Sequence, residues 1–183
     1  DWRCLVNSAS VFKPDDVTAL DPETYDTAMS VNARAPAQLA QSYLAHAKAR
    51  EGRRVIQVTD QKLANPNPDF FSYTMSKYAL DATIRMLAQT RENGGAARPG
   101  DRVYGLAPGA ILASHDQSED EAQRSHLLNL RRRRTTPQDV AEAAVMLASG
   151  DVASGETVFV DSGQHLLSQP RDVIYLEREG ARQ

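Results

Sequence analysis

The chain has 183 residues, with 21 Lys and Arg against 24 Asp and Glu, for a formal charge of −3. Its 41% hydrophobic and 25% charged residues are an ordinary globular composition, and this length buries roughly 70% of the unfolded surface in one core. The single cysteine, Cys4, excludes an internal disulfide framework and a cysteine-rich metal site; the acidic balance argues against nucleic acid as a partner; and with no apolar run of the ~18 residues a span needs and no signal-peptide pattern, no membrane partner and a cytoplasmic location are expected.

In chain order, Asp1-Trp2-Arg3 runs without an initiator Met into the apolar Cys4-Leu5-Val6, a short strand ended by the turn former Asn7. Domain termini usually lie at the surface. Residues 1–183 therefore read as one domain whose N-terminal part is expected to lie outside them. Asp21-Pro22-Glu23 opens a helix, with proline in the first turn and acids at the positive end. It is expected to run to about Ala49, with Pro36 kinking it or marking a boundary. Arg54–Thr59 is rich in β-branched residues and reads as a strand. The loop Asn65-Pro66-Asn67-Pro68 separates it from a helix over Tyr73–Glu92, whose Leu80, Ile84, Leu87 and Ala88 share one face and which Gly94-Gly95 stops.

Arg102–Ala107 is the next strand, ended by Pro108-Gly109. A polar segment with Asp116, Glu119, Asp120 and Glu121 leads into a short helix. Thr136-Pro137-Gln138-Asp139 opens another helix, through Leu147, and Glu156–Asp161 is the last clear strand. The order β-α-β-α-β-α-α-β predicts the α/β class: a doubly wound, Rossmann-type parallel sheet covered on both faces. Ligands of such sheets bind beyond the carboxyl ends of the strands. Those ends carry Asn7-Ser8-Ala9-Ser10, Thr59-Asp60, Ala107-Pro108-Gly109 and Asp161-Ser162-Gly163, all small or polar.

The sharpest local feature is Tyr73-Thr74-Met75-Ser76-Lys77, since Tyr and Lys at i and i+4 share a helical face. An ammonium beside a phenol lowers the phenol pKa from about 10 and makes it a usable acid near neutral pH. On its own the pair is equally an aromatic–lysine surface contact. Together with Asn7-Ser8-Ala9-Ser10 after one strand, Asn32 in a helix, a polar residue ending the next strand and Pro108-Gly109 after the third, the chain resembles the short-chain dehydrogenase/reductase family, from that family's fourth strand to its C-terminus. No G-x-G-x-x-G occurs in these residues, so the site for a dinucleotide's pyrophosphate and adenosine is not expected within them.

The resemblance implies a role for each matching residue. Tyr73 would protonate the substrate atom that becomes electron-rich on hydride transfer. Lys77 would hold the nicotinamide ribose and tune Tyr73, and Asn32 would support a water that continues the proton relay. Asn7, Ala9 and Ser10 would line the cofactor, as would Pro108, Gly109 and Ile111 beside the nicotinamide. Asn32 has an alternative reading as a residue that bends or caps its helix.

The family usually places Ser thirteen residues before the Tyr; here that position is Asp60. A carboxylate repels a developing oxyanion but suits a nitrogen heterocycle, to which a carboxyl can relay a proton. Asp60 with Ser10 and Phe12 therefore resembles the pteridine reductase branch, including the dihydromonapterin reductases. There the Ser contacts cofactor and substrate, and the Phe stacks on the pterin ring. Phe12 reads equally as a loop anchor packed on the core, and Asp60 as the mark of an inactive member that has lost its Ser. The expected activity is reduction of a pterin-like ring with NADPH, NADH not being excluded. The rivals are a carbonyl or alcohol substrate, or a scaffold without turnover.

The partners expected are a small-molecule substrate and further copies of the chain, as a tetramer or dimer. The helices of Asn32 and Tyr73 commonly pack against a second subunit in this family, and Ala79, Ala82 and Ala88 permit close approach. Arg131–Arg134 reads as a solvated helix end, with contact to a substrate tail or another subunit as the alternative. His46, His115, His126 and His165 lack metal-ligand spacing, so no metal is expected, although His165 is near enough the last strand to reach a pocket rim. Val173-Ile174-Tyr175-Leu176, in the tail Pro170–Gln183, is expected to reach a neighbouring subunit or cover the active site.

Overall fold

In a computed structural model, residues 2–89, 98 and 100–181 are described. Four strands, β1 (Cys4–Asn7), β2 (Arg54–Val58), β3 (Arg102–Pro108) and β4 (Thr157–Val160), form one sheet in the order β1-β2-β3-β4. Every adjacent pair is parallel, with Val6 opposite Ile56, Ile56 opposite Tyr104, and Leu106 opposite Val158. Helices link them: α1 (Pro22–Ala28), α2 (Ala35–His46), α3 (Phe71–Gln89), α4 (Glu119–Ser125), α5 (Pro137–Ser149) and, after β4, α6 (Val173–Gly180). The predicted α/β order holds. Among the described residues, no helix is long and apolar enough to cross a membrane.

The period-two alternation of the strands builds a core on each face. Val55 and Val103 point toward Ala40, Tyr43 and Leu44 of α2 and Ile84 of α3. Ile56, Tyr104 and Leu106 point the other way, onto Leu147, Val140 and Ala144 of α5. Leu147 is fully buried, so Leu147→Ala should cost about 2–5 kcal/mol. On α3, Leu80 and Ile84 are buried as their spacing predicts, and Leu87 packs against the α2-side core. Gly94-Gly95, the expected stop of this helix, lies outside the described residues.

The helix predicted from Asp21 to about Ala49 is broken. A π-helical turn, Met29–Arg34, separates α1 from α2, and α2 ends at His46. Pro36 is in the first turn of α2, where a proline is tolerated; it has no N–H to send back to the Asn32 carbonyl. The Pro36 carbonyl instead accepts a hydrogen bond from Asn7 Nδ2 at 3.2 Å, which ties the end of β1 to the break. Within the tail, Val173–Gly180 form α6, which no sequence pattern above marks as a helix. The helix forms because Asp172 caps the Ile174 N–H at 3.1 Å and because Ile174 is buried against Phe70 and Tyr73.

Candidate active site

The carboxyl ends of the strands open into a cavity of about 810 Å3, within the range of small-molecule sites. Ser10 and Phe12 follow β1, Asp60 and Lys62 follow β2, Pro108 ends β3 and Gly109 and Ile111 follow it, Tyr73 comes from α3 and Ile174 from α6; all line it. Gly109 is required by close approach, because a Cβ there would lie 2.7 Å from Asp161 Cβ and from Gln164 Oε1. The chain after β3 thus packs directly on the end of β4.

At the centre, Tyr73 Oη donates to Asp60 Oδ2 at 2.6 Å. The other Asp60 oxygen accepts the Lys62 N–H at 2.8 Å, capping the short 3-10 turn Gln61–Leu63. Desolvation raises the Asp60 pKa above the usual carboxylate range, against the opposing pull of Lys62, Tyr73 and Lys77. Tyr73 is 8% exposed; burial first, then the Asp60 charge, push its phenol well above its ordinary value. The i, i+4 spacing pointed the opposite way, to a lowered Tyr73 pKa. The spacing holds, but Lys77 Nζ lies 5.5 Å from the Tyr73 ring centroid and donates to the Val58 carbonyl at 2.9 Å, while Asp60 touches the hydroxyl directly. Burial lowers Lys77 to about 8.

Asn32 is fully buried and spends both ends of its amide. Its Oδ1 accepts from Val11 N at 2.8 Å and Ser10 Oγ at 3.2 Å, and its Nδ2 donates to the Val11 carbonyl at 2.9 Å and Ser76 Oγ at 3.0 Å. It clamps the loop after β1 to α3 from within the π-helical turn that breaks the helix. Asn7 is also a joint, donating to Gln57 Oε1 at 2.8 Å as well as to Pro36. Asn7, Ala9, Asn32 and Lys77 do not line the cavity; Ala9 is exposed beside it.

Phe12 is a loop anchor. Its ring stacks on Phe70 at 4.0 Å and meets Tyr73 edge-on at 4.7 Å, and Phe70 stacks in turn on Tyr175 of α6 at 5.9 Å. Phe70 holds this place with φ at 55°, a left-handed conformation that bulky residues rarely adopt.

Sequence reading missed Lys62 and Asp172. Lys62 is 3% exposed, and its ammonium pairs with Asp172 Oδ2 at 2.8 Å and donates to the Asp69 carbonyl at 3.1 Å. Asp69 accepts from Arg171 Nε at 2.9 Å and from the Asp172 N–H at 2.7 Å. The segment after β2 and the start of α6 are thereby joined by buried charges. No local pattern marks a lysine that will be buried by a helix more than a hundred residues later; the Asp172 cap was the one available signal.

The remaining candidates lie elsewhere. His165 stacks on Phe159 at 4.2 Å and pairs with Asp161 at 2.8 Å, outside the cavity lining. His115 and His126 line the cavity, and His46 is exposed on α2. Arg133 pairs with Asp139 and Arg134 with Glu119, while Arg131 and Arg132 are exposed. Among the described residues no cluster of His, Cys, Asp or Glu could hold a metal.

A parallel α/β sheet with a Tyr–Lys pair and a Pro-Gly turn at its carboxyl ends defines a short-chain oxidoreductase architecture. The sequence pattern of the family described as Enoyl-(Acyl carrier protein) reductase matches residues 2–165, and the chain belongs to the short-chain dehydrogenase/reductase family. It is 32% identical over 147 residues to the human Dehydrogenase/reductase SDR family member 4, covering 77% of this chain and 51% of that protein. It is 28% identical over 170 residues to a Granaticin polyketide synthase putative ketoacyl reductase 2 of Streptomyces violaceoruber, covering 89% of this chain and 66% of that one. The chain thus spans about half to two thirds of the length of these relatives. Among solved structures, FolM Alternative dihydrofolate reductase 1 from Brucella canis, complexed with NADP, superposes with a TM-score of 0.82 at 31% identity over 93% of this chain and 66% of that one. The angucycline C-6 ketoreductase LanV with bound NADP gives 0.77 at 26% identity, over 91% and 64%.

Proposed function

We propose that the protein reduces a pterin-like ring with NADPH, in the cytoplasm. The observation that carries this reading is the Asp60–Tyr73 hydrogen bond of 2.6 Å at the position where the family usually has Ser. A buried carboxyl of raised pKa, which accepts the Tyr73 hydrogen bond, can take up a proton and pass it to a ring nitrogen. It is poorly matched to a developing oxyanion. The likeness to a dihydrofolate reductase solved with NADP supports both substrate class and cofactor.

The residues present fit a nicotinamide. The turn at Gly109 has no room for a side chain, Pro108, Gly109 and Ile111 line one wall, and Ser10 lines another. When bound, the cofactor supplies the hydride. Ser10, Pro108, Gly109 and Ile111 would hold it, while Asn7, Ala9 and Lys77, which do not line the cavity, would support that wall from behind. Tyr73 and Asp60 then deliver a proton to the ring nitrogen next to the carbon that gains hydride. Lys77 would replace that proton, with Asn32 acting as the clamp that holds the loop after β1 against α3. Phe12 and Ser10 would flank the ring.

Carbonyl reduction is the second reading, because LanV and the granaticin protein carry reductase names of that kind. NADPH oxidation by the full-length protein with dihydropterins, dihydrofolate and simple ketones separates the readings. Dihydropterin turnover supports the first, ketone turnover alone the second, and no turnover a scaffold.

A further inference from the structure

Lys62 is 3% exposed, although lysine is almost never buried in full unless it is paired. Its ammonium donates to Asp172 Oδ2 at 2.8 Å, to the Asp69 carbonyl at 3.1 Å and to Asn67 Oδ1 at 3.2 Å, and lies 5.0 Å from the centre of the Phe70 ring. An ammonium has three hydrogens, so this one is a fixed charge rather than a group free to bind a ligand. A buried ion pair is a weak source of stability, because apolar residues of similar volume often serve as well. What distinguishes this pair is its place. Lys62 follows Asp60 by two residues and holds its carboxyl through the N–H that donates to Asp60 Oδ1 at 2.8 Å, while Asp60 Oδ2 accepts from Tyr73. Lys62 and Asp172 line the same cavity as Asp60 and Tyr73.

The charges reach the reacting pair. Desolvation raises the Asp60 pKa, and the Lys62 charge is the foremost pull against it, ahead of the Tyr73 hydrogen bond and Lys77. Asp172 acts in the opposite sense: after burial and Asp60, its charge adds to the rise of the Tyr73 phenol. The other ionisable groups around this corner have partners of their own. Asp69 pairs with Arg171 at 2.9 Å and His165 with Asp161 at 2.8 Å, Asp15 accepts from the Ser72 N–H at 3.1 Å, and Tyr78 donates to the Leu63 carbonyl at 3.0 Å. Tyr175 stacks on Phe70, and His115 and His126 lie elsewhere on the lining.

Resting on the pterin reading, we propose that Lys62 and Asp172 are positioning residues that together set whether the Asp60 carboxyl holds a proton, so that the cap of α6 fixes the pH range in which this carboxyl can serve a ring nitrogen. Lys62 favours the carboxylate. Asp172 holds the ammonium in place and offsets its charge.

The test reads Asp60 itself, by carbon-13 NMR of aspartate-labelled full-length protein saturated with NADP+, with the Asp60 carboxyl resonance assigned by its loss in Asp60→Ser. Lys62→Met should raise the titration midpoint by about one pH unit, and Asp172→Asn should lower it by about half a unit. Lys62→Arg, which keeps the charge, should leave it within about 0.3 unit of wild type. A merely structural role would not move the midpoint in opposite directions. Midpoints that stay fixed, or that move the same way in Lys62→Met and Asp172→Asn, overturn the proposal. If Lys62→Met does not fold, Asp172→Asn decides alone: a fall supports the proposal, and no change or a rise overturns it. In turnover of dihydrobiopterin with NADPH, the pH at which kcat declines should shift in the same directions as the midpoints; a decline that stays fixed while the midpoints move also overturns the proposal. If wild type reduces ketones but no dihydropterin, the pterin reading fails separately, and the NMR midpoints still decide whether the pair governs Asp60.

Discussion

Tyr73 and Asp60 are thirteen residues apart in sequence, one on α3 and the other just past β2, and share a hydrogen bond of 2.6 Å inside the cavity. The phenol is the donor, so Tyr73→Phe removes a proton from the pair while leaving the ring and its edge contact with Phe12 in place. Turnover should fall at least about 10²-fold, the usual contribution of a positioned acid. Cofactor binding, followed by quenching of protein fluorescence, should change little. Near-wild-type turnover would remove Tyr73 from the mechanism.

Lys77 makes stability depend on pH. Its pKa is about 8 in the folded protein and about 10.4 in an unfolded chain. Below the folded value both states hold the proton, and the cost of burying the ammonium is fully present. Between the two values the unfolded state binds more protons, so stability rises with pH by up to about 1.4 kcal/mol per unit. Urea unfolding between about pH 8 and 9.5 should show that rise in wild type and a flatter profile in Lys77→Met. Equal slopes would mean that the amine is not perturbed.

The Lys62–Asp172 pair is buried, with side chains 4% and 9% exposed. Removing one partner strands the other charge. Lys62→Met should lower the unfolding free energy by about 3 kcal/mol. Adding Asp172→Asn, which keeps an oxygen to cap Ile174, should recover part of the loss. Equal stability of wild type and Lys62→Met in urea would show that α6 is held by its aromatic contacts alone.

The oligomer expectation rests on the helices of Asn32 and Tyr73 and on the small residues Ala79, Ala82 and Ala88, and α2 and α3 also carry exposed apolar residues. Leu39 on α2 is 54% exposed and Met86 on α3 59%, and Met75 and Tyr78 of α3 are also exposed. Light scattering at micromolar concentration should give a dimer or tetramer, and Met86→Asp should shift it toward monomer. A monomeric wild type would contradict this.

The fold was legible because strand and helix periods alternate cleanly and because proline and glycine punctuate them. The Tyr73–Lys77 spacing and the Pro108-Gly109 turn pointed toward the cavity that Tyr73, Pro108 and Gly109 line, and Asp60 stood out by its distance from Tyr73. What the sequence hid came from contacts distant in the chain. Pro36 was read as a kink or boundary, but only the structure shows the π-helical turn before it. Tyr73 was expected to have a lowered pKa because Lys77 is four residues away; the nearer Asp60 and burial reverse the sign. Lys62 resembles any surface lysine until α6 covers it.

The most direct test is the ratio of dihydropterin to ketone turnover in wild type and Asp60→Ser, with NADPH and the full-length enzyme. Ser can donate to an oxyanion but relays a proton to nitrogen less readily. The variant should lose dihydropterin turnover by about tenfold or more, each tenfold being about 1.4 kcal/mol of barrier, while ketone turnover holds or rises. If Asp60→Ser keeps dihydropterin turnover intact, or if wild type reduces only carbonyl compounds, the carboxyl is not the determinant and the pterin reading is contradicted.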